Sequence, residues 1–158
     1  MPNLATTSYT RDNSWLFGRL NFLWSVYFKD VPRLNLILIR FGRYSKLRLG
    51  SIKLDPASGK TYITITAMFK DLSVAEEVVD HTIAHELCHY AHGFSSPHQR
   101  LHRFPHEGGV IKKEMETRGL VHLFNAYRAW IKSYREELKE QYKRKVKIKR
   151  SIWRFGLY

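Results

Sequence analysis

The chain has 158 residues, 44% of them apolar and 14% aromatic, with one cysteine and 27 Lys plus Arg against 14 Asp plus Glu. That length suits one compact domain and excludes a large two-domain enzyme, while the apolar content argues against global disorder despite a formal charge of +13. Cys88 alone forms neither an intramolecular disulfide nor a four-cysteine zinc ribbon, which fits a reducing cytoplasm.

The opening residues lack the basic start, apolar run and small-residue cleavage site of a signal peptide, and no segment approaches about 18 uninterrupted apolar residues. The expectation is a cytoplasmic protein, nucleoid-associated or nuclear at most, with no membrane partner. Ser14 is the expected cap of a first helix in which Leu16, Leu20, Leu23, Trp24, Tyr27 and Phe28 recur at helical spacing, and Pro32 limits its run. Residues 34 to 41 read as a buried strand closed by Gly42. Residues 46 to 54 alternate, and the turn residues 55 to 59 join them to a strand at 62 to 66 as a hairpin.

Ser73-Val74-Ala75-Glu76 reads as a capping box, after which Val78, Val79, Ile83 and Leu87 follow the 3.6 period to a stop at Gly93. Residues 93 to 105 form a loop, a further helix runs from about 110 to Gly119, and a longer one from about 120 to 143 carries Leu123, Tyr127, Trp130, Ile131 and Tyr134 on one face. The alternating Lys145-Val146-Lys147-Ile148-Lys149 suits an edge strand or a loose basic tail. The reading is an α+β domain over 1–142, a sheet of about three strands packed with helices, followed by a basic segment at 143–158.

On the capped helix stands His85-Glu86-Leu87-Cys88-His89, an HExxH motif. Positions i and i+4 lie only about 40° apart around a helix, so the two imidazoles project together and can grip one ion. Glu86, about 100° round, reaches a zinc-bound water as general base without being a ligand. The third ligand stays open on the residues alone. His98, His102 and His106 are candidates, with Glu107, Glu114 or Glu116 if a carboxylate serves. A metzincin is rejected, because His92 and Ser95 stand where it has glycine and histidine.

The aromatic first helix, the basic hairpin with Leu49-Gly50, the Thr-rich strand, His85-Glu86-Leu87-Cys88-His89-Tyr90 and the later His-rich loop together resemble the SprT-like zinc metallopeptidases over roughly residues 14 to 120. The resemblance implies one zinc, and a third ligand at His106, nearest to the family's histidine before a helix, although Glu107 stands where glycine is usual. It also implies protein substrates associated with DNA, including DNA-protein crosslinks. The family's frequent C-terminal zinc ribbon has no counterpart here.

The other polar residues carry plainer expectations. His81 and His92 share the broad face of His85 and His89, where supporting or surface roles outweigh ligation, and Cys88 reads as a small core residue. Tyr62, Thr64 and Thr66 suit an edge strand that is either structural or pairs an extended substrate. Trp130 and Tyr134 read as core before base-stacking platforms.

Seven of the 27 basic residues and none of the acids fall in 141 to 158, and Arg43, Lys46 and Arg48 belong to a second basic cluster. Two such clusters favour DNA as a partner, contacted by Arg43, Lys46, Arg48, Lys143, Arg144, Lys145, Lys147, Lys149 and Arg150; the plain alternative is a solvated basic surface. Two rivals to a peptidase stand: a nucleic-acid-binding module with a structural zinc, against which Glu86 argues, and a metal-dependent ribonuclease.

Overall fold

The computed structural model describes residues 9–155, with side chains in the last helix described as far as Lys147. In chain order the elements are α1 (Asn13–Tyr27), β1 (Ile37–Phe41), β2 (Gly50–Leu54), β3 (Thr61–Ile65), α2 (Glu76–Ala91), α3 (Val110–Thr117) and α4 (Val121–Phe155), an α+β fold as the sequence implies. Short 3-10 turns at Ala67–Lys70 and Glu107–Gly109 lead into α2 and α3.

Asp12, not Ser14, caps α1, its carboxylate accepting from the Trp15 N–H at 2.8 Å. Leu16, Leu20, Leu23 and Trp24 then turn inward, as their spacing predicts. The sheet has three strands in the order β1-β3-β2, with β1 parallel and β2 antiparallel to β3. The hairpin forms, but β2 begins only at Gly50. Residues 43 to 49 are held as a loop by Thr66, whose hydroxyl accepts from the Ser45 N–H at 2.9 Å and donates to the Ser45 carbonyl at 2.8 Å. Such local side-chain bonds compete with strand pairing. β3 is the central strand, so the reading of Tyr62, Thr64 and Thr66 as an edge is corrected: the edges are β1 and β2.

The capping box at Ser73 does not form. The Ser73 N–H donates to Asp71 Oδ1 at 2.9 Å, Glu76 pairs instead with Arg19 at 3.1 Å, and α2 starts at Ala75 without a side-chain cap. The stop at Gly93 holds: its φ is +78°, and the Phe94 N–H closes on the His89 carbonyl at 2.9 Å. α2 is an interior helix, with 12 of its 16 residues buried. It packs against α1, β2, β3, α3 and α4, and its apolar side chains join those of α1 and the sheet in one core cluster.

The first half of α4 covers α2. Leu123 is buried, Tyr127, Trp130 and Tyr134 pack on the core, and Trp130 meets Phe69 edge-on at 5.6 Å. Trp130 and Tyr134 are thus core residues, stacked on each other at 4.8 Å. From Arg135 to Lys147 the helix is exposed apart from Leu138 and Val146. The segment 145 to 149, read as an edge strand or loose tail, continues α4 instead. The strong helix formers of 136–141 and the pairs Glu136–Lys139 and Glu140–Lys143 carry the helix through it, and propensity outweighs the alternation.

Candidate metal centre

α2 presents His85 and His89 one turn apart, and the loop ahead of α3 brings His106 to them. His85 Nε2 lies 3.1 Å from His106 Nε2 and 3.1 Å from His89 Nε2, and the three ligand atoms lie within 4.8 Å of one another. One imidazole nitrogen offers a single in-plane N–H or a single lone pair, so His85 Nε2 cannot make two good hydrogen bonds at once. A shared cation satisfies all three nitrogens: tetrahedral zinc with Zn–N bonds of about 2.0 to 2.1 Å spaces its ligand atoms about 3.3 to 3.4 Å apart, close to the two separations of 3.1 Å made by His85. The donor set therefore fits a metal ion.

Burial prepares the ligands. It lowers the His85 pKa to about 4 and, helped by its histidine neighbours, that of His89 to about 3, so both rings are neutral at pH 7 and free to ligate. The other candidates lie elsewhere, which corrects the alternatives for the third ligand. His98 Nε2 meets the Pro32 carbonyl at 2.8 Å, and His102 packs on His92 at 4.8 Å. Glu107 accepts from the Phe104 N–H, Glu114 pairs with His92 and Arg118, and Glu116 pairs with Lys112.

Glu86 is 6% exposed, and burial raises its carboxyl to about 7 against the opposing pull of Arg48. A dication nearby would hold that carboxyl ionised. Gly50 makes room for it: a Cβ at Gly50 would stand 2.8 Å from Glu86 Oε1 and 2.7 Å from Thr82 Cγ2. Glu86 and the three histidines line one cavity of about 420 Å³, whose opposite wall is Arg48, Gly50, Ser51 and Ile52.

That wall is the free edge of the sheet. The Leu49 carbonyl accepts from Thr66 and the Asp55 N–H donates to Lys60, so odd-numbered residues of β2 turn their backbone groups to β3, while Gly50 and Ile52 turn theirs outward. Ser95 donates its hydroxyl to the Ile52 carbonyl at 3.2 Å from a left-handed backbone, φ +56°. A non-glycine residue held there marks a strained loop against the site. Ser95 and Arg100, which lies over Phe94 at 4.6 Å, line the cavity too, and neither carries a local sequence signal.

His81 and His92 are both buried off the triad. His81 stacks face to face on Tyr127 at 4.1 Å, and His92 Nε2 pairs with Glu114 at 3.2 Å at the C-terminal end of α2. Cys88 is fully buried and its thiol pKa is pushed up by desolvation, so it is a core residue with no thiolate character.

The basic clusters come partly together. Lys46 Nζ donates to Gln141 Oε1 at 3.2 Å, which joins the loop after β1 to the exposed half of α4, where Arg144, Lys145 and Lys147 are exposed. Arg43 is exposed on the same loop, while Arg48 lines the cavity beside Glu86. Lys143 is not free of acid, as its neighbours in sequence suggested, but pairs with Glu140 at 2.8 Å. The side chains of Lys149 and Arg150 lie outside the described residues. Among the described residues no helix is long and apolar enough to cross a membrane. No family model, curated protein or solved structure matches the chain.

Proposed function

We propose that the chain is a zinc-dependent metallopeptidase of SprT-like type, hydrolysing peptide bonds in DNA-associated proteins in the cytoplasm or at the nucleoid. The observation that carries the reading is the convergence of His85, His89 and His106 in one cavity with a buried carboxylate, Glu86, on the same helix. His85, His89 and His106 would hold the ion, leaving one face toward the cavity. Zinc in such a three-ligand site supplies Lewis acidity, which lowers the pKa of water towards about 7 and polarises a carbonyl oxygen. Glu86 takes the proton of the attacking water and returns it to the leaving amine. The outward backbone groups of Gly50 and the Ile52 N–H would pair an extended peptide along the cavity, the Ile52 carbonyl being taken by Ser95.

The DNA part of the proposal rests on charge. The contact between Lys46 and Gln141 makes one basic surface of the loop after β1 and the exposed half of α4, on the side of the molecule from which Arg48 enters the cavity. Phosphates bound there would bring DNA-bound protein near the site and raise its local concentration.

Metal analysis of the purified chain, combined with a Glu86→Gln comparison on an unfolded protein and on RNA, tests the reading. About one zinc per chain is expected, retained in Glu86→Gln, while protein hydrolysis falls by roughly 100-fold or more. Cleavage of RNA in place of protein, or hydrolysis undiminished in Glu86→Gln, would overturn it.

A further inference from the structure

Beside the metal centre, on the other side of Glu86, lies a second cavity of about 240 Å³, lined by Leu47, Arg48, Leu49, His81, Thr82 and Tyr127 together with Gly50, His85 and Glu86. The peptidase chemistry uses only the His85 and Glu86 wall that it shares with the metal centre, and three features of the rest of its lining point to a ligand. Arg48 is exposed at the wall, and its guanidinium makes no ion pair among the described residues. His81 is 5% exposed and its Nδ1 has no hydrogen-bond partner, which buried polar atoms rarely tolerate. Its ring is fixed by the stack on Tyr127, so it is held in one orientation. Leu47, 89% exposed, offers an apolar rim. The lining thus sets a guanidinium without an ion pair, a rigid imidazole and an apolar rim beside the Glu86 carboxyl, whose charge Arg48 offsets, next to the site where a peptide bond would lie.

We propose that this cavity is a specificity pocket for an acidic side chain of the substrate, an Asp or Glu whose carboxylate pairs with Arg48 and accepts a hydrogen bond from His81. The proposal rests on the peptidase reading for the kind of substrate. A guanidinium binds a carboxylate with two parallel hydrogen bonds, which gives geometry as well as charge, and a neutral imidazole carries the one N–H a third contact needs. Aliphatic walls suit the methylene stem of a Glu side chain.

The test uses three fluorescent peptides of one unstructured sequence whose acidic positions are all Glu, all Gln or all Lys. Binding is read by anisotropy on the zinc-loaded Glu86→Gln protein, and cleavage on the wild type. The Glu peptide should bind about tenfold or more tighter than the Gln peptide, as a charge-assisted bidentate pair implies, and the Lys peptide weakest. Adding Arg48→Gln should abolish the Glu-over-Gln difference. Arg43→Gln, which removes the same charge from the exposed loop, should keep the difference and so separates the pocket from the general pull of a +13 chain. His81→Phe, which preserves a flat ring against Tyr127, should reduce the difference about threefold.

Equal loss in Arg43→Gln and Arg48→Gln would overturn the pocket, as would Arg48-dependent displacement of the peptide by a DNA oligonucleotide, which would make Arg48 a phosphate contact. Failure of the wild type to cleave any peptide while the Arg48-dependent binding difference persists would refute the peptidase reading and leave the pocket standing. Cleavage of all three at one rate with no binding difference would do the reverse.

Discussion

Gly50→Ala isolates the one close approach on which the position of Glu86 depends. The Gly50 backbone does not lie in the left-handed region, so alanine is free to adopt it, and the cost of the change falls on the space in front of it. An added methyl would meet Thr82 Cγ2 at 2.7 Å and Glu86 Oε1 at 2.8 Å, whereas ordinary contact begins at 3.4 Å. The carboxylate must therefore yield by about 0.6 Å, and a misplacement of about 1 Å in a reacting group costs on the order of 100-fold. A fall of roughly ten- to thirtyfold in kcat follows, with zinc content and fold retained, because the three histidines do not touch the new methyl. Overpacking of this size destabilises by about 1 kcal/mol, a few degrees in Tm for a chain of this length. Proteolysis of an unfolded protein, metal analysis and thermal melting read the three quantities. Thr82→Ser in the Gly50→Ala background removes the Cγ2 contact and leaves the one with Glu86, so it should restore stability but not activity. Full activity in Gly50→Ala, or its recovery in the double variant, would refute the role given to Gly50.

His85→Ala, His89→Ala and His106→Ala should each remove most of the bound zinc, measured after dialysis, whereas His98→Ala and His102→Ala should retain it. Glu114, held below its ordinary value of 4.5 chiefly by the hydrogen bond from His92, with Arg118 also lowering it, contributes stability above that pH and loses it as the pH falls below. Glu114→Gln should therefore be about 1 kcal/mol less stable at pH 7 and show a flatter loss of stability between roughly pH 5 and pH 3, read by urea titration. Reversing Arg144, Lys145 and Lys147 to Glu should weaken DNA binding and flatten its dependence on salt, while cleavage of a free peptide is unchanged; tight binding by the folded variant at low salt would remove DNA from the proposal.

The parts of this fold legible in the sequence are those with a strong local period or a fixed chemical spacing. The apolar spacing of α1 and α2, the turn at 55 to 59 and the pair His85 and His89 depend on neighbours a few residues away, and each stands where the sequence places it. What was not legible depends on distant partners. Ser73 loses its cap because Arg19, 57 positions before Glu76, claims the carboxylate that the box would have used. Sheet order depends on β1 returning parallel to β3, which no hairpin signal encodes. The loop's path over α2 brings His106, and not His98 or His102, to His85 and His89, and the spacing of that loop was silent on it. At the end of α4 the alternating pattern misled, because a helix driven by propensity and exposed ion pairs needs no apolar face to persist.

The burial of α2 links the fold to the site. A helix with 12 of 16 residues buried must find a partner for each polar side chain it carries, and most of them are provided for. Asp80 takes the guanidinium of Arg19, Thr82 donates to the Val78 carbonyl at 3.0 Å, and His92 at the cap takes Glu114. The polar groups left over are His81, with its unpartnered Nδ1, Glu86, and the facing imidazoles of His85 and His89. Four buried side-chain nitrogen or oxygen atoms lack a partner among the described residues, and three of them are Nδ1 atoms of His81, His89 and His92. A sequence selected for stability alone would fill those positions with apolar residues, since an unsatisfied buried polar group costs about 1 to 3 kcal/mol. Two of the three Nδ1 atoms, those of His81 and His89, lie on turns of α2 that line the two cavities, whereas His92 lines neither, so it is chiefly beside the candidate site that the folded chain departs from its own rule of burying only what it can satisfy.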